Sequence, residues 1–503
     1  LAGVGGIDAC LFVVAATEGW KPQSEEHLRI LELLGVGHGV IALTKRGIVD
    51  DEWAEIAELE VADHVRSTFL ESAPIVSVDS LDGTGLDRLR VALDDLVAAT
   101  PAATDRDRPR LWIDRVFAAK GSGTVVTGTL TGGGLAVDDE VLVNPGARRA
   151  RIRSIQTLGS VVPAIGPGNR VALNLNGVGH DELVRGDAIV TPGRWRPTDR
   201  FDASLDVLAS LDHDVSRRGA FMAYVGAREV PVRMRVLGDE ALSPGDHGAI
   251  RLFLPDALPL LPGDRFVLRE SGRDETVGGG EVLDIDPVTR ASRARPDRSI
   301  GRVVAERGWV EADELELLTG ERLDATVGRW VTTSEMLDEL RTRLRSAVDD
   351  AGAIGLDLAA LDERERAVVD TFDDVVVDAG RARVADAVDV FADHPLAAAI
   401  RAGGFAPSVP DGVDRNEVRE LVRRGVLVER DKVLFHVDAV DAAAAVAARL
   451  LAEQPEGFTV ADFRDATGAS RKYALPLVAE LDARGITRRR DDLRIAGPRL
   501  PTP

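Results

Sequence analysis

The pattern of apolar residues changes twice along the chain, near residues 107 and 298, and this succession limits how the chain can fold. In the first part, residues 9–16, 39–44 and 73–78 are apolar runs with helical patterns between them. Strands that are apolar on both faces and alternate with helices are typical of a parallel sheet. Residues 1–106 therefore predict an α/β domain.

Between residues 107 and 287, short β-rich runs alternate with turns of Gly, Pro, Asp and Asn. Short strands at regular spacing predict antiparallel barrels or sandwiches. The stretch is long enough for two small barrels, which we place at 107–195 and 196–287. Polar segments that contain proline, at 100–110 and 286–299, predict linkers.

The last part of the chain contains a weak repeat with an offset of 60 residues. Residues 424–426 and 430–431 read Arg-Gly-Val and Arg-Asp, and residues 484–486 and 490–491 read Arg-Gly-Ile and Arg-Asp. Each copy follows an amphipathic helical pattern, with Gly where a helix needs a left-handed terminating residue. A helix, a Gly stop and a hairpin form the end of a winged helix, although a common helix C-cap would look similar. We predict four winged-helix modules, at 298–333, 334–387, 388–437 and 438–503.

Composition excludes several classes of protein. The 84 acidic and 62 basic residues give a net charge of −22, which argues against a protein that coats nucleic acid without specificity. The single Cys10 excludes a disulfide framework, and the eight histidines show no metal-ligand spacing, so no metal site is predicted. Without an export signal or an uninterrupted apolar span, we expect a cytoplasmic protein with no membrane partner.

Thr44 and Lys45 follow the second apolar run, where nucleotide-binding domains of the GTPase class carry Thr/Asn-Lys-x-Asp. In that class the Lys stem packs on the base and the Asp accepts two hydrogen bonds from guanine. The fourth position here is Gly47, so this carboxylate is absent. We predict nucleotide contacts for Thr44 and Lys45, and an ordinary strand-to-loop pair remains an alternative. No Gly-x-x-x-x-Gly-Lys-Ser/Thr loop occurs in the sequence, and no catalytic residue is predicted.

The end of the chain reverses the overall sign of charge. Residues 457–503 carry nine basic and six acidic residues, a net of +3, whereas the other 456 residues sum to −25. A positive helix start, an aromatic ring and a basic wing can bind an RNA hairpin through phosphates and stacking. A solvated charged surface is the alternative. The predicted RNA-binding residues are Arg471, Lys472, Tyr473, Arg488, Arg489 and Arg490.

Four segments resemble one family. Residues 111–130 (LWIDRVFAAKGSGTVVTGTL) and 265–284 (RFVLRESGRDETVGGGEVLD) resemble the start of the second domain and the end of the third domain of Tu-type translational GTPases. Residues 1–31 resemble the stretch after switch II of their G domain. Residues 458–490 (FTVADFRDATGASRKYALPLVAELDARGITRRR) resemble the last winged helix of bacterial selenocysteine-specific elongation factors, the SelB type.

This resemblance implies a multidomain fold: a partial P-loop-GTPase-like α/β domain, two antiparallel β-barrels and an array of winged helices. The phosphate loop, both switch regions and the catalytic His of the family would precede residue 1, so we expect an N-terminally incomplete member. GTP and Mg²⁺ are the cofactors of the intact family. GTPase activity is expected of full-length relatives and not of this chain alone.

The resemblance also implies partners: selenocysteyl-tRNA, a hairpin in selenoprotein mRNA, and the ribosome. Asp114, Arg115 and Arg170 match family positions that line the selenocysteyl pocket. Two alternatives remain. The chain could be a non-enzymatic RNA-binding adaptor derived from such a factor, or a general aminoacyl-tRNA carrier, against which the C-terminal array counts.

Overall fold

The computed structural model describes residues 6–119, 123–385, 391 and 393–501. The chain divides into two compact units, Leu1–Thr333 and Ser334–Pro503. Residues 1–5 and 120–122 belong to segments on which the resemblance rests, and they lie outside the described residues.

The N-terminal domain is a parallel three-stranded sheet with helices on both faces, which confirms the predicted α/β domain. Its elements are β1 (Cys10–Ala15), α1 (Pro22–Leu33), β2 (Gly39–Thr44), α2 (Asp51–His64), β3 (Ile75–Ser77) and α3 (Leu86–Ala99). The sheet order is β1-β2-β3. Strand β2 is apolar on both faces because Ile41 and Leu43 share a core with α1 and α2, whereas Val40 and Ala42 share one with α3.

One face of β1 is less covered than that of its neighbour. Leu11 lies opposite Val40 and Val13 opposite Ala42, so these residues project from the same face of the sheet. Helix α3 packs over β2 and β3. Leu11 and Val13 are 43% and 55% exposed, so this part of the face is open in the described chain.

The first barrel consists of six main strands, β4, β5, β7, β8, β11 and β12, joined in the order β11-β5-β4-β12-β7-β8 and closed by pairing of β8 with β11. Its elements are β4 (Arg110–Ala119), β5 (Gly123–Thr131), β6 (Leu135–Ala136), β7 (Glu140–Asn144), β8 (Arg148–Thr157), β9 (Ser160–Val162), β10 (Ala164–Ile165), β11 (Asn169–Asn176) and β12 (Ala188–Val190). Alternate residues such as Val126 and Leu130 fill the interior, and their neighbours face outward.

The second barrel is closed in the order β13-β18-β16-β15-β19-β20. Its elements are β13 (Thr198–Val207), β14 (Val215–Ser216), β15 (Phe221–Val225), β16 (Arg228–Leu237), β17 (Ala241–Leu242), β18 (His247–Leu258), β19 (Arg265–Glu270) and β20 (Glu275–Asp284). A Cβ at Gly280 would lie 2.1 Å from the carbonyl oxygen of Ser204, so only glycine lets β20 approach β13 this closely. The two predicted barrels are confirmed.

The segment after the second barrel adds α4 (Ile300–Arg307), β21 (Trp309–Glu311), α5 (Ala312–Thr319) and β22 (Trp330–Thr332). Strands β21 and β22 form a two-stranded antiparallel sheet. Val304, Leu315 and Val331 belong to the same apolar cluster as the interior of the second barrel. The predicted module at 298–333 thus shares its core with the preceding barrel.

The second unit contains seven helices and eight strands among its described residues. These are α6 (Ser334–Ala351), β23 (Leu356–Asp357), α7 (Glu363–Val369), β24 (Val375–Asp378), β25 (Arg381–Val384), α8 (Pro395–Ala402), α9 (Arg415–Arg423), β26 (Leu427–Arg430), β27 (Val433–His436), α10 (Val437–Glu453), β28 (Phe458–Thr459), α11 (Val460–Thr467), α12 (Arg471–Ala483), β29 (Thr487–Arg490) and β30 (Leu493–Ala496). Three helices and the sheet β28-β30-β29 form the last winged helix. Gly425 (φ 73°) and Gly485 (φ 71°) have the predicted left-handed backbone.

Among the helices described, none is long and apolar enough to cross a lipid bilayer.

Candidate functional site

The hairpin of the last winged helix separates two kinds of arginine. Arg494 is 8% exposed, and its Nε lies 2.7 Å from Oδ2 of Asp482, which also accepts a hydrogen bond from the buried Thr487. These contacts fix β29 and β30 against α12. The three arginines after Thr487 are exposed, and all three were predicted from the sequence: Arg488, Arg489 and Arg490.

The exposed arginines differ in their local partners. Arg488 has no hydrogen bond or ion pair to any residue that the structure describes. Arg489 donates from Nε to the carbonyl oxygen of Asp491 at 3.1 Å, and Arg490 lies 4.0 Å from Oε2 of Glu456. Weak, exposed contacts of this kind leave the guanidinium groups available for phosphates.

The start of α12 carries the other predicted RNA-binding residues. Arg471 and Lys472 are exposed, and Nζ of Lys472 lies 5.1 Å from the centroid of the Tyr473 ring. Tyr473 is half-buried and packs against the core of the last module. The ring is therefore covered on one side by a cation, which supports Lys472 through a cation–π contact and restricts the ring surface open to a base.

Asp114 and Arg170 come together on the outer face of the first barrel. Strand β4 bulges between Ile113 and Arg115, which sets Asp114 off the regular register. Nη1 of Arg170 lies 2.6 Å from Oδ2 of Asp114, and Thr127 donates to Oδ1 at 2.5 Å. Asp114 is 13% exposed and Arg170 58%, so a half-buried carboxylate holds a guanidinium group that still faces solvent.

Arg115 lies on the same outer face but outside this ion pair. It is opposite Thr127, while Arg170 is opposite Thr129 on the other side of β5. Arg115 is exposed and has no polar partner among the described residues. Sequence reasoning missed Thr127, whose place opposite β4 depends on a register that the sequence does not reveal.

The predicted nucleotide contacts lie at the end of β2. Thr44 donates from Oγ1 to the carbonyl oxygen of Val14 at 3.2 Å, and Nζ of Lys45 lies 2.8 Å from Oε1 of Glu18. Lys45 itself has a left-handed backbone (φ 61°). Both side chains are therefore engaged locally at the carboxyl edge of the sheet.

Gly47 is explained by Asp79, which follows β3. The N–H of Gly47 donates to Oδ2 of Asp79 and the N–H of Leu81 to Oδ1, both at 2.8 Å. Hydrogen bonds from Leu81 and Gly47 lower the pKa of the Asp79 carboxyl. A Cβ at position 47 would lie 2.7 Å from Oδ2 of Asp79, so the carboxylate at 79 and a side chain at 47 exclude each other.

These residues fit only part of a GTP site. Thr44 and Lys45 lie where a base could be contacted, but the sequence holds no phosphate-binding loop to supply backbone donors, a lysine and a Mg²⁺-ligating hydroxyl. The residues present do not fit the phosphates or Mg²⁺, and no hydrolytic step follows from them.

His213, Glu270 and Glu275 have a composition that suits a metal ion. His213 Nε2 lies 3.0 Å from Glu270, and its Nδ1 lies 3.1 Å from Asp212. Arg273 lies 3.3 Å from Asp212 and 3.8 Å from Glu270. With the arginine beside them, the carboxylates form a local ion-pair network on the second barrel.

Two family models match separate parts of the chain. The model described as "Selenocysteine-specific elongation factor, beta-barrel domain" matches residues 202–289, and "Elongation factor SelB, winged helix" matches residues 449–496. The first match covers the second barrel and the second covers most of the last winged helix. Both models describe one kind of translation factor.

Curated relatives agree with this result. The selenocysteine-specific elongation factor of Desulfomicrobium baculatum is 33% identical over 344 residues, which cover 68% of this chain and 54% of the relative. Elongation factor Tu 2 of Streptomyces avermitilis is 32% identical over 300 residues, which cover 57% of this chain and 76% of that protein. The chain thus spans about half the length of its selenocysteine-specific relative and most of the Tu factor.

Solved structures share the fold. A bacterial selenocysteine-specific elongation factor, EF-Sec, superposes with a TM-score of 0.68 at 21% identity, covering 98% of this chain and 87% of that one. SelB of Methanococcus maripaludis, solved with the GTP analogue GPPNHP, gives 0.50 at 23% identity over 56% and 67%. With 32% identity over three quarters of a Tu factor, and with both family models matched, the chain belongs to the elongation factor Tu family, in its selenocysteine-specific, SelB-type group.

Proposed function

We propose that the protein is a selenocysteine-specific translation elongation factor that delivers selenocysteyl-tRNA to the ribosome at UGA codons. In this proposal its C-terminal winged helices bind a hairpin in the selenoprotein mRNA. The combination of two translation-factor barrels with a SelB-type winged helix in one chain supports it. These partners would place its work in the cytoplasm.

The exposed wing of the last module is the observation that carries the RNA-binding part. Arg488, Arg489 and Arg490 follow one another on an exposed strand of a segment with a net charge of +3. The buried Arg494 and Thr487 hold that strand in place, so the three cations project from a fixed support. A rigid basic wing suits the phosphates of a folded RNA better than a flexible tail would.

The first barrel supplies the proposed selenocysteyl pocket. A selenol is more acidic than a thiol or a hydroxyl, so the selenocysteyl group is largely anionic at neutral pH. Arg170, oriented by Asp114, and the unpaired Arg115 would attract this anion, whereas a neutral seryl group would gain much less.

Binding both RNAs on one chain explains how the carrier could act at one codon. The mRNA hairpin would hold the factor near that UGA, which raises the effective concentration of its tRNA there without altering codon–anticodon pairing. A general carrier lacking the winged helices would have no such local preference.

GTP would control the cycle in the intact family, whose members are translational GTPases. In this chain Thr44 and Lys45 could contact the base, and the residues for phosphates and Mg²⁺ are not in its sequence. This observation favours, as a second candidate, a non-enzymatic RNA-binding adaptor. Binding of a fluorescent GTP analogue to the full chain separates the two, because an adaptor would bind RNA with no nucleotide at all.

The RNA-binding role is tested by titrating the full chain with a labelled selenoprotein mRNA hairpin and with an unrelated hairpin of equal length. We expect selective binding that weakens about tenfold or more in the double variant Arg488→Ala, Arg489→Ala. The matched control is Arg415→Ala, Arg419→Ala, which removes the same charge from exposed positions of α9. Equal losses in the two variants, or equal affinity for the two hairpins, would contradict the proposal.

A further inference from the structure

A cleft in the first unit is lined by three arginines from separate segments. It has a volume of about 420 Å³ and lies among the segment before β4, the turn between β12 and β13, and helix α5 with the residues after it. Its arginines are Arg108, Arg194 and Arg322, and its acidic residues are Asp313 and Glu316. The lining side chains carry one excess positive charge.

Arg108 is the unusual member of this set. It is 2% exposed, although it lies in a stretch that the sequence predicts to be a linker. Its Nη2 donates to the carbonyl oxygen of Glu316 at 2.5 Å and lies 3.6 Å from Oε1 of the same residue. Its Nη1 is buried and has no hydrogen-bond partner among the described residues. A buried N–H of a cation is seldom left unpaired, because its desolvation is then uncompensated.

The backbone around Arg108 holds it in this position. The N–H groups of Arg106 and Arg108 both donate to the carbonyl oxygen of Gly132. A Cβ at Gly132 (φ 71°) would lie 2.6 Å from the carbonyl oxygen of Arg108, so the close approach depends on glycine. Burial lowers the pKa of the Arg108 guanidinium, and its charge is kept in place at a cost in solvation.

The other two arginines are more exposed. The side chains of Arg194 and Arg322 are 46% and 74% exposed. Arg194 pairs with Asp107 at 2.5 Å, and Arg322 lies 3.5 Å from Oε2 of Glu316. Each has further donors in its guanidinium fork. Together with Nη1 of Arg108 they surround a space large enough for a tetrahedral anion, with one donor deep in the cleft and two charged groups nearer solvent.

We propose that this cleft binds a phosphate group, as free inorganic phosphate or as part of an RNA backbone, through Nη1 of Arg108 with Arg194 and Arg322 beside it. The guanidinium fork suits phosphate oxygens, and the anion would satisfy the unpaired donor. Asp313 and Glu316 limit the number of negative charges that the cleft accepts. The site is separate from the selenocysteyl pocket and from the wing of the last module.

The test is a titration of the full chain with sodium phosphate at constant ionic strength, balanced with sodium chloride. Phosphorus NMR line broadening measures binding, and the thermal unfolding midpoint measures stabilisation. We expect saturable binding with a rise in the midpoint. Arg322→Ala and Arg194→Ala, both at exposed positions that the fold tolerates, should each weaken phosphate binding about tenfold.

Two controls keep the test specific. Arg149→Ala removes an exposed arginine of β8 that lies 4.0 Å from Glu140, and phosphate binding should not change. The wing variant Arg488→Ala, Arg489→Ala should also bind phosphate normally, which separates this cleft from the proposed hairpin site. Binding that never saturates, or that is equal in the Arg322→Ala variant and the Arg149→Ala control, would overturn the proposal.

A short single-stranded RNA added to the phosphate-bound protein distinguishes the two sources of the phosphate group. Displacement of inorganic phosphate by the RNA, lost in Arg322→Ala, would assign the cleft to an RNA backbone. Retention of inorganic phosphate at saturating RNA would assign it to the free anion.

Discussion

The third module (388–437) and the fourth module (438–503) end in the same way but present different surfaces. In the third, Arg424 donates from Nε to Glu420 at 2.7 Å, and in the fourth, Arg484 donates to Glu480 at 2.9 Å. Each helix then ends at a left-handed glycine, with φ of 73° and 71°. The shared residues thus form the connection between helix and hairpin.

The difference between the modules lies on the wing. Positions 428 and 429 are Val and Glu in the third module, and the corresponding positions 488 and 489 are both Arg in the fourth. The same scaffold therefore carries either pair. Buried ion pairs fix the shape of the module, and exposed positions decide what it can bind.

The arginine that ends each wing illustrates the same division. Arg430 of the third module lies 2.7 Å from Oε2 of Glu480, so it joins the two modules within the second unit. Its counterpart Arg490 is exposed and lies 4.0 Å from Glu456. The repeated sequence gives Arg430 a structural role and leaves Arg490 available for RNA.

Removing the shared carboxylate should have the largest effect. Glu480 is 8% exposed and lies between Arg484 and Arg430, so Glu480→Ala leaves two arginines without their partner. We expect the free energy of unfolding of the second unit to fall by about 3 kcal/mol. Denaturant unfolding followed by circular dichroism measures it. A change as small as that of Arg464→Ala, an exposed ion pair on α11, would break the division between the two kinds of arginine.

The equivalent carboxylate of the third module makes stability depend on pH. Arg423 and Arg424 lower the pKa of Glu420 from 4.5 to about 2. Because the folded pKa is depressed, the stabilisation is complete above pH 4.5 and is lost as the pH falls toward 2. Glu420→Gln should remove roughly 1–3 kcal/mol at neutral pH and flatten this part of the curve. An unchanged acid limb in the variant would assign the pH dependence to other groups.

The start of α12 should contribute less to RNA affinity than the folding contacts contribute to stability. Arg471→Ala with Lys472→Ala removes two exposed cations, and we expect about a tenfold loss of hairpin affinity with a shallower dependence on salt. Filter binding at several salt concentrations measures both. If Tyr473→Leu, which keeps the apolar packing, costs as much as this double variant, base stacking and not charge dominates at this helix.

The first barrel offers a smaller version of the same contrast. Arg170 is held by Asp114, whereas Arg115 has no partner among the described residues. Arg115→Ala should reduce the preference for selenocysteyl- over seryl-tRNA by about tenfold or less, with little change in stability. Competition binding of the two charged tRNAs measures the preference. Equal discrimination by variant and native protein would remove Arg115 from the pocket.

The order of domains and the repeat could be predicted from the sequence because they depend on local patterns. Alternating apolar residues predicted the barrels, and the Arg-Gly-aliphatic triplets placed Gly425 and Gly485 correctly. One helix was predicted too long: residues 50–70 look helical, but α2 ends at His64, and Ser67 has a left-handed backbone (φ 62°). The apolar residues beyond it, among them Leu70, belong to the core without being helical.

Contacts between distant segments could not be predicted in this way. Asp79 explains Gly47 across 32 residues, and Arg108 meets Glu316 across 208. The segment 100–110 reads as a polar linker, yet Arg108 is buried and β4 begins at Arg110. A single sequence shows which residues are charged, and only the fold shows which of those charges are paired.

The most direct test of the account is to place the third module's wing residues on the fourth. The variant Arg488→Val, Arg489→Glu uses side chains that the same scaffold already carries at positions 428 and 429, so the module should fold. Titration with the selenoprotein hairpin over a range of salt should show a loss of affinity of about 100-fold and a shallower salt dependence, with unfolding unchanged. Native affinity and salt dependence in a folded variant would contradict the claim that this wing binds the hairpin.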